Sequence, residues 1–330
     1  MRNSASLLIL SSILAACGGG GGSDAPAASS QNPASPAKAT LTDANYVAVA
    51  QESLSSTNYL ADASTLAVGA EVNDANVLVR FGRAQAGKLP GRLAGTQALV
   101  TGATINPTEP CSGGGTLNIV DNDLNGNGLP DAGDSVSLTA NNCIFEGSSL
   151  TGGLTLAVDV FSGSISAPPF SVTMTLTFTN LTARSAAASS TGNGTMVLSL
   201  SAPTSSSQTV SLKSTQFTTT STYGSATYSR ALDGYTVVVD SNATSSKTTA
   251  AGTLSSSAFD SKSVTIATPV PFVRVSPQTR PSSGQDTATG ANGAMVRVTA
   301  ISDTQVKIEL DADANGSFET SVAKLWSELI

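Results

Sequence analysis

The sequence predicts a mainly β protein: an antiparallel meander sheet, curved or barrel-like, with one N-terminal helix. Three observations lead there. From Gly115 onward apolar residues recur at every second position, turn residues separate the runs, and no helical crossovers of the kind parallel neighbours need lie between them. The clearest run sets Val172, Met174, Leu176 and Phe178 against Thr173, Thr175, Thr177 and Thr179, an apolar row on one face and a threonine row on the other. The alternation returns in Leu154-Leu156-Val158-Val160, Met196-Leu198-Leu200, Tyr235-Val237-Val239, Val296-Val298 and Val306-Ile308-Leu310. A sheet with one apolar and one wet face has to curve or close to hide the apolar side.

Ahead of the sheet, Thr42 can cap a helix over about residues 43–60, with Tyr46, Val49, Ala50, Leu54 and Thr57 at helical spacing. It is the only convincing helix. The Gly/Ala-rich passage from Leu66 to about Val100 is weakly periodic and holds one short strand candidate, Val77-Leu78-Val79-Arg80-Phe81. At the far end Trp326, the single Trp, reads with Leu325 and Leu329 as a clasp on the sheet.

Composition excludes several function classes. With 16 Lys and Arg against 23 Asp and Glu the net charge is -7, so nucleic acid is a poor partner. Only 12% of residues are charged and 5% aromatic, which leaves hydroxyl and amide groups to cover the solvent face and counts against a sugar-stacking groove. There is no histidine, so Ser-His-Asp and Cys-His nucleophiles and His-ligated zinc or copper are unavailable. No Gly-x-Ser-x-Gly elbow occurs, and Ser35-x-x-Lys38 and Ser321-x-x-Lys324 lack the companion motifs of a Ser/Lys nucleophile. The protein is not expected to be an enzyme, although two acidic residues facing each other in a cleft would permit an envelope hydrolase.

The start of the chain carries an address. Arg2 gives a short positive region, Leu7 to Leu14 are mostly apolar but too few to span a bilayer, and Leu14-Ala15-Ala16-Cys17 ends the segment on a cysteine behind small residues. This resembles the lipobox of bacterial lipoproteins. The resemblance implies cleavage after residue 16, acyl chains on Cys17, and attachment to a membrane through that lipid. Gly18 in place of the Asp that retains Gram-negative lipoproteins in the inner membrane implies the outer membrane. Residues 17–40, rich in Gly, Ala, Ser and Pro, read as a flexible tether, and 41–330 as a single β-rich domain.

Cys111 and Cys143 remain once Cys17 is acylated, and in an exported chain they are expected to pair, the other reading being two free thiols. Between them, read from Asp123, oxygen side chains fall at loop positions one, three, five, nine and twelve: Asp123, Asn125, Asn127, Asp131 and Asp134, with Gly128 at six and the Leu129 carbonyl at seven. The spacing resembles the calcium loops of EF-hands, dockerins and thrombospondin type 3 repeats, which implies a structural Ca2+ site. Asp134 is shorter than the usual Glu, and Pro130 replaces an apolar residue. A register beginning at Asp121 puts Ala132 at position twelve and is inferior. Asp311, Asp313, Asn315, Glu319 and the Ser317 carbonyl repeat the pattern more weakly, since Val322 stands at the twelfth position. The bland reading of either loop is a metal-free polar turn.

The expected role is therefore an outer-membrane-anchored lipoprotein with a structural or surface-interaction function, stabilised by calcium and a disulfide. The alternative is a carrier holding an acyl chain or other apolar ligand inside the curved sheet. Leu154, Met174, Leu176, Phe178 and Leu198 lining an open cavity would favour the carrier, a filled interior the interaction role.

Overall fold

The computed structural model describes residues 36–64, 74–94, 104–105, 107–164 and 167–330. Fifteen strands build one antiparallel sheet. Strands β1 (Thr104–Ile105) and β2 (Thr108–Pro110) pair in turn with β3 (Thr116–Asn122). From β3 each strand pairs with the next in the chain: β4 (Ser135–Phe145), β5 (Ser148–Ser164), β6 (Ala167–Arg184), β7 (Ala188–Thr204), β8 (Ser207–Tyr223) and β9 (Ala226–Asn242). The series continues through β10 (Ser245–Ser256), β11 (Lys262–Val275), β12 (Ser283–Thr289), β13 (Met295–Ala300), β14 (Gln305–Asp311) and β15 (Thr320–Leu325). Two-residue links such as Glu146–Gly147, Ser205–Ser206, Gly224–Ser225 and Ala243–Thr244 leave no room for a crossover, so neighbours in sequence become neighbours in space.

The ends of this order, β1 and β15, do not pair, so the sheet is curled rather than closed. Register shifts on successive strands account for the curl, because a bulge bends the strand that carries it. They fall between Ala140 and Cys143 where β4 meets β5, between Thr151 and Gly153 where β5 meets β6, and between Phe178 and Leu181 where β6 meets β7. The alternation seen in sequence holds: Val172, Met174, Leu176 and Phe178 are buried, while Thr173, Thr175 and Thr177 stay half-buried on the other face.

Two helices, α1 (Tyr46–Ser64) and α2 (Asp74–Ala94), cover the apolar face. Helix α2 packs on β3 to β8, and α1 on β8 to β10 and β12 to β14. Their buried side chains, among them Val49, Leu54, Leu60, Leu78, Phe81 and Leu89, join those of the strands in one core. At two places α2 and the sheet touch closely at a glycine, where a larger residue would have to push a leucine side chain aside. A Cβ on Gly82 would lie 2.9 Å from Leu176 Cδ2, and a Cβ on Gly192 would lie 2.9 Å from Leu78 Cδ1.

The second helix corrects the expectation of one, and it absorbs Val77–Phe81, expected as a strand. Val77, Leu78, Phe81, Gln85, Leu89 and Leu93 share one helical face, and all are buried. Gly82, Gly87, Gly91 and Pro90 lower helix propensity through the same stretch, and a short β-branched run by itself reads as either state. Helix α1 begins at Tyr46 rather than 43. Asn45 caps it, its carbonyl accepting from Val49 N at 2.9 Å, while the Thr42 carbonyl closes the preceding turn by accepting from Asn45 N and Tyr46 N at 3.1 and 3.0 Å. The last residues assigned to the tether belong to the folded unit, which starts at Pro36. Ala39 N donates to Ser263 O at 2.8 Å, and Ala39 O accepts from Ala291 N at 2.7 Å. Trp326 and Leu329 are buried as the expected clasp requires, Trp326 edge-on to Phe272 with centroids 6.0 Å apart and Nε1 donating to Ser302 O at 3.0 Å, but Leu325 is exposed and takes no part.

The underside of α1 is polar. Ser53 Oγ donates to Asp286 Oδ2 at 2.5 Å, Thr268 Oγ1 donates to Asp286 Oδ1 at 3.1 Å, and Thr57 shares a 2.9 Å hydrogen bond with the Tyr235 hydroxyl. Burial pushes the Asp286 carboxyl up to about 7 against the opposing pull of these hydroxyls and of the Thr287 amide. A group whose folded value exceeds its unfolded one holds its proton more tightly when folded. The stability it contributes is complete below its ordinary value of 3.8 and is lost as pH rises through about 7. Asp286→Asn is therefore expected to flatten the fall in urea midpoint between those two values and to exceed the wild type above pH 7. Parallel pH profiles for the two proteins would contradict this.

Candidate functional site

Cys17, the expected lipidation site, lies outside the described residues. Among the described residues no helix is long and apolar enough to cross a membrane. The remaining sites sit at strand ends. Because neighbouring strands run in opposite directions, links after β3, β5 and β7 fall on one rim of the sheet, and links after β4, β6 and β8 on the other.

Cys111 and Cys143 are bonded, with Cα atoms 5.4 Å apart. Cys111 follows β2 directly and Cys143 lies in β4, so the bond crosses the end of β3 and ties the edge of the sheet to its interior.

The link from β3 to β4, residues 123–134, is the first Asp-rich loop. It folds its own backbone onto its oxygens. Asp123 accepts from Gly126 N and Gly128 N, each at 2.7 Å, and Asp134 accepts from Leu124 N at 3.0 Å and Asp131 N at 2.7 Å. The side-chain amides of Asn125 and Asn127 donate to Asp131 Oδ2 at 2.8 and 2.6 Å, while their own oxygens accept from Asn127 N and Leu129 N. Asp123 and Asp134 are buried and Leu129 is exposed. Asp131 is thus joined to the Asn125 and Asn127 side chains, while Asp123 and Asp134 turn to the backbone of the loop. Asp121 lies outside the loop, in β3 opposite Val136 of β4. Desolvation holds the Asp121 carboxyl above the usual range, opposed by the Arg92 guanidinium and assisted by Glu109.

The second loop joins β14 to β15, on the opposite rim. Carboxylate oxygens of Asp311, Asp313 and Glu319 lie within 4.8 Å of one another, the one such acidic group among the described residues. Asp311 is buried and accepts from Asn315 N at 3.2 Å and Gly316 N at 2.9 Å; Asn315 Oδ1 accepts from Ser317 N at 2.7 Å. Val322 pairs with Ile308 inside the ladder and has no place in the loop. Carboxylate oxygens thus converge in the loop whose spacing matched less well, although an amide nitrogen stands against a carboxylate in both: Asn125 and Asn127 donate to Asp131 in the first, and Asn315 Nδ2 donates to Asp313 Oδ2 at 2.9 Å in the second.

No family model matches the chain, and neither a curated protein nor a solved structure does. What the arrangement can do is argued from its own residues. Ser321 and Lys324 lie an odd number of residues apart on β15, so their side chains leave opposite faces, and Lys324 pairs with Glu328 at 3.1 Å. That disposes of the Ser/Lys pair. Sequence reading missed the end of the β8–β9 hairpin, where Thr219, Ser221 and Tyr223 continue the inner-face parity set by Phe217. The signal was there as polar residues at inward positions.

The disulfide closes a separation of 32 residues, for which chain entropy gives about 3–4 kcal/mol. Cys111→Ser with Cys143→Ser is expected to lose that much in denaturant unfolding. An unchanged midpoint would mean the edge strands are held without it.

Proposed function

We propose that the protein is a lipid-anchored module of the outer membrane that acts through surface interaction, its rims held by cations and by the Cys111–Cys143 bond. The observation that carries this reading over a carrier is the packed interior. Leu154, Met174, Leu176, Phe178 and Leu198 are buried in the core that α1 and α2 share with the strands. An apolar ligand would have to displace a helix to reach them.

The anchor rests on Leu14 to Cys17 and the glycines behind it. Cys17→Ser is expected to move the protein from the membrane fraction to the soluble one or to leave uncleaved precursor. Mass spectrometry finding no acyl chain on the wild type would overturn the anchor.

The side chains fit a hard cation in type, being carboxylate and amide oxygens. Calcium in the first loop would be held by Asp123, Asn125, Asn127, Asp131, Asp134 and the Leu129 carbonyl, and in the second by Asp311, Asp313, Asn315, Glu319 and the Ser317 carbonyl. It would supply charge neutralisation rather than chemistry. Binding to the folded state alone adds about 2.7 kcal/mol at a hundredfold excess over the dissociation constant. The melting temperature is thus expected to rise with calcium and fall with chelator. Asp123→Ala with Asp134→Ala should remove part of the calcium response, and Asp311→Ala with Asp313→Ala the rest. A melting temperature indifferent to both reagents would leave two polar turns.

A further inference from the structure

The inner face of the sheet carries isolated buried polar side chains such as Ser214 and Asp286, and at one corner polar residues take over from the apolar ones. Inward positions of β8 run Val210, Leu212, Ser214 and Phe217 through the core, then Thr219, Ser221 and Tyr223 toward the turn. On β9, Leu232 gives way to Arg230 and Tyr228, paired with Thr219 and Ser221 respectively. With Glu52 of α1 and Ser256 of β10 these residues line a cleft of about 240 Å³. It opens on the rim opposite the first Asp-rich loop.

Its charges cancel. Glu52 Oε2 accepts both Nε and Nη2 of Arg230, at 3.1 and 2.9 Å, and the ion pair is only one-fifth exposed. These bonds use one carboxylate oxygen and two guanidinium nitrogens, so Glu52 Oε1 and Arg230 Nη1 keep capacity to accept and to donate at the cleft that both residues line. The hydroxyls add both kinds of partner. Ser221 shares a single 2.8 Å hydrogen bond with Ser190, and Ser256 Oγ accepts from Ala258 N, which leaves each further capacity. Behind the cleft, Ser56 and Tyr59 follow Glu52 on the same face of α1, and both end in buried oxygens with no partner among the described residues.

The wall is aromatic. Tyr223 and Tyr228 stand edge to face with centroids 6.1 Å apart and are 43% and 52% exposed, the two aromatic side chains among the exposed large apolar ones described. In a chain this poor in aromatics, two rings held side by side in water at the mouth of a polar cleft are a binding surface. An apolar ligand would bury the unpaired donors and acceptors, and an anion or a cation would meet a charge already neutralised.

We infer that this cleft binds a neutral sugar ring, its C–H face on one of the two tyrosine rings with the edge of the other beside it, and its hydroxyls on Glu52, Arg230, Thr219 and Ser221. The volume suits one or two rings, below the range of drug-sized ligands. The sparse aromatic content that counted against sugar binding is outweighed by where these two rings are. The site shares no residue with the anchor or the Asp-rich loops, so it stands or falls independently of them.

The test is saturation-transfer NMR and calorimetry on the full chain with glucose, galactose, mannose and N-acetylglucosamine, and with glucuronate and glucosamine as charged counterparts. At least one neutral sugar is expected to bind with a dissociation constant on the order of 1 mM. Tyr223→Ala with Tyr228→Ala, which alters two half-exposed rings, should weaken it at least about tenfold in a protein that still melts in one cooperative transition. Glu52→Gln leaves Arg230 unneutralised and should turn the preference toward glucuronate. The inference is overturned if no neutral sugar gives saturation transfer, if the double variant binds as the wild type does, or if wild type binds glucuronate or glucosamine as well as the neutral sugars.

Discussion

The structure depends on one constraint: an unbroken run of antiparallel neighbours whose inward side chains are apolar presents a single wide face that water must not reach. A closed barrel would solve this by joining β1 to β15, and those strands stay apart. Here the sheet curls over two helices laid side by side along its apolar face, α2 under the first half and α1 under the second. Burial of apolar area is non-directional, so it draws the layers together without choosing their seating. Seating comes from contacts with a shape. Gly82 and Gly192 let α2 settle against Leu176 and let β7 approach Leu78, and the hydroxyls of Ser53 and Thr57 meet partners under α1.

Once the interior is filled, chemistry is left to the rims. A meander delivers its turns alternately to two rims, and here the Asp-rich loops, the Tyr cleft and the ends of the sheet all lie at strand ends. The outward face between them carries serine and threonine in cross-strand rows, for instance Thr182 opposite Thr191 and Thr173 opposite Ser199, hydrogen-bonded at 2.8 and 3.2 Å. Such pairs satisfy one another and the ladder beneath them, so the wet face needs little charge to remain hydrated.

The sheet was legible because period two over long runs has one reading, and the alternation in Val172–Phe178 survives into the structure residue for residue. Helix α2 was not legible. Its sequence is interrupted by Gly82, which lies close against Leu176, by Gly87 and Gly91, which have no such neighbour, and by Pro90, all of which lower helix propensity. The disulfide and the loop beginning at Asp123 could be read from cysteine count and oxygen spacing. The convergence of Asp311, Asp313 and Glu319 could not, because spacing does not say whether a loop's carboxylates will turn toward one another or toward its own backbone amides. The cleft was hidden for a different reason: Thr219, Ser221 and Tyr223 look like any polar strand end until Phe217 shows which side is in.

The position of Glu52 follows from the packing of α1. Glu52 and Ser53 are consecutive on a helix, so their side chains leave the axis about 100° apart, and fixing one direction fixes the other. Ser53 is held on Asp286, a carboxyl whose burial an apolar residue would avoid. That hydrogen bond sets the rotation of α1 about its own axis, and the rotation that satisfies Asp286 is the one that lays Glu52 on Arg230 at the edge of the core. A helix seated by apolar contacts alone could roll with small loss, since leucine packing tolerates it. The polar contacts beneath α1 remove that freedom, and they fix its exposed edge against β9 at the place where the inner face of the sheet turns polar.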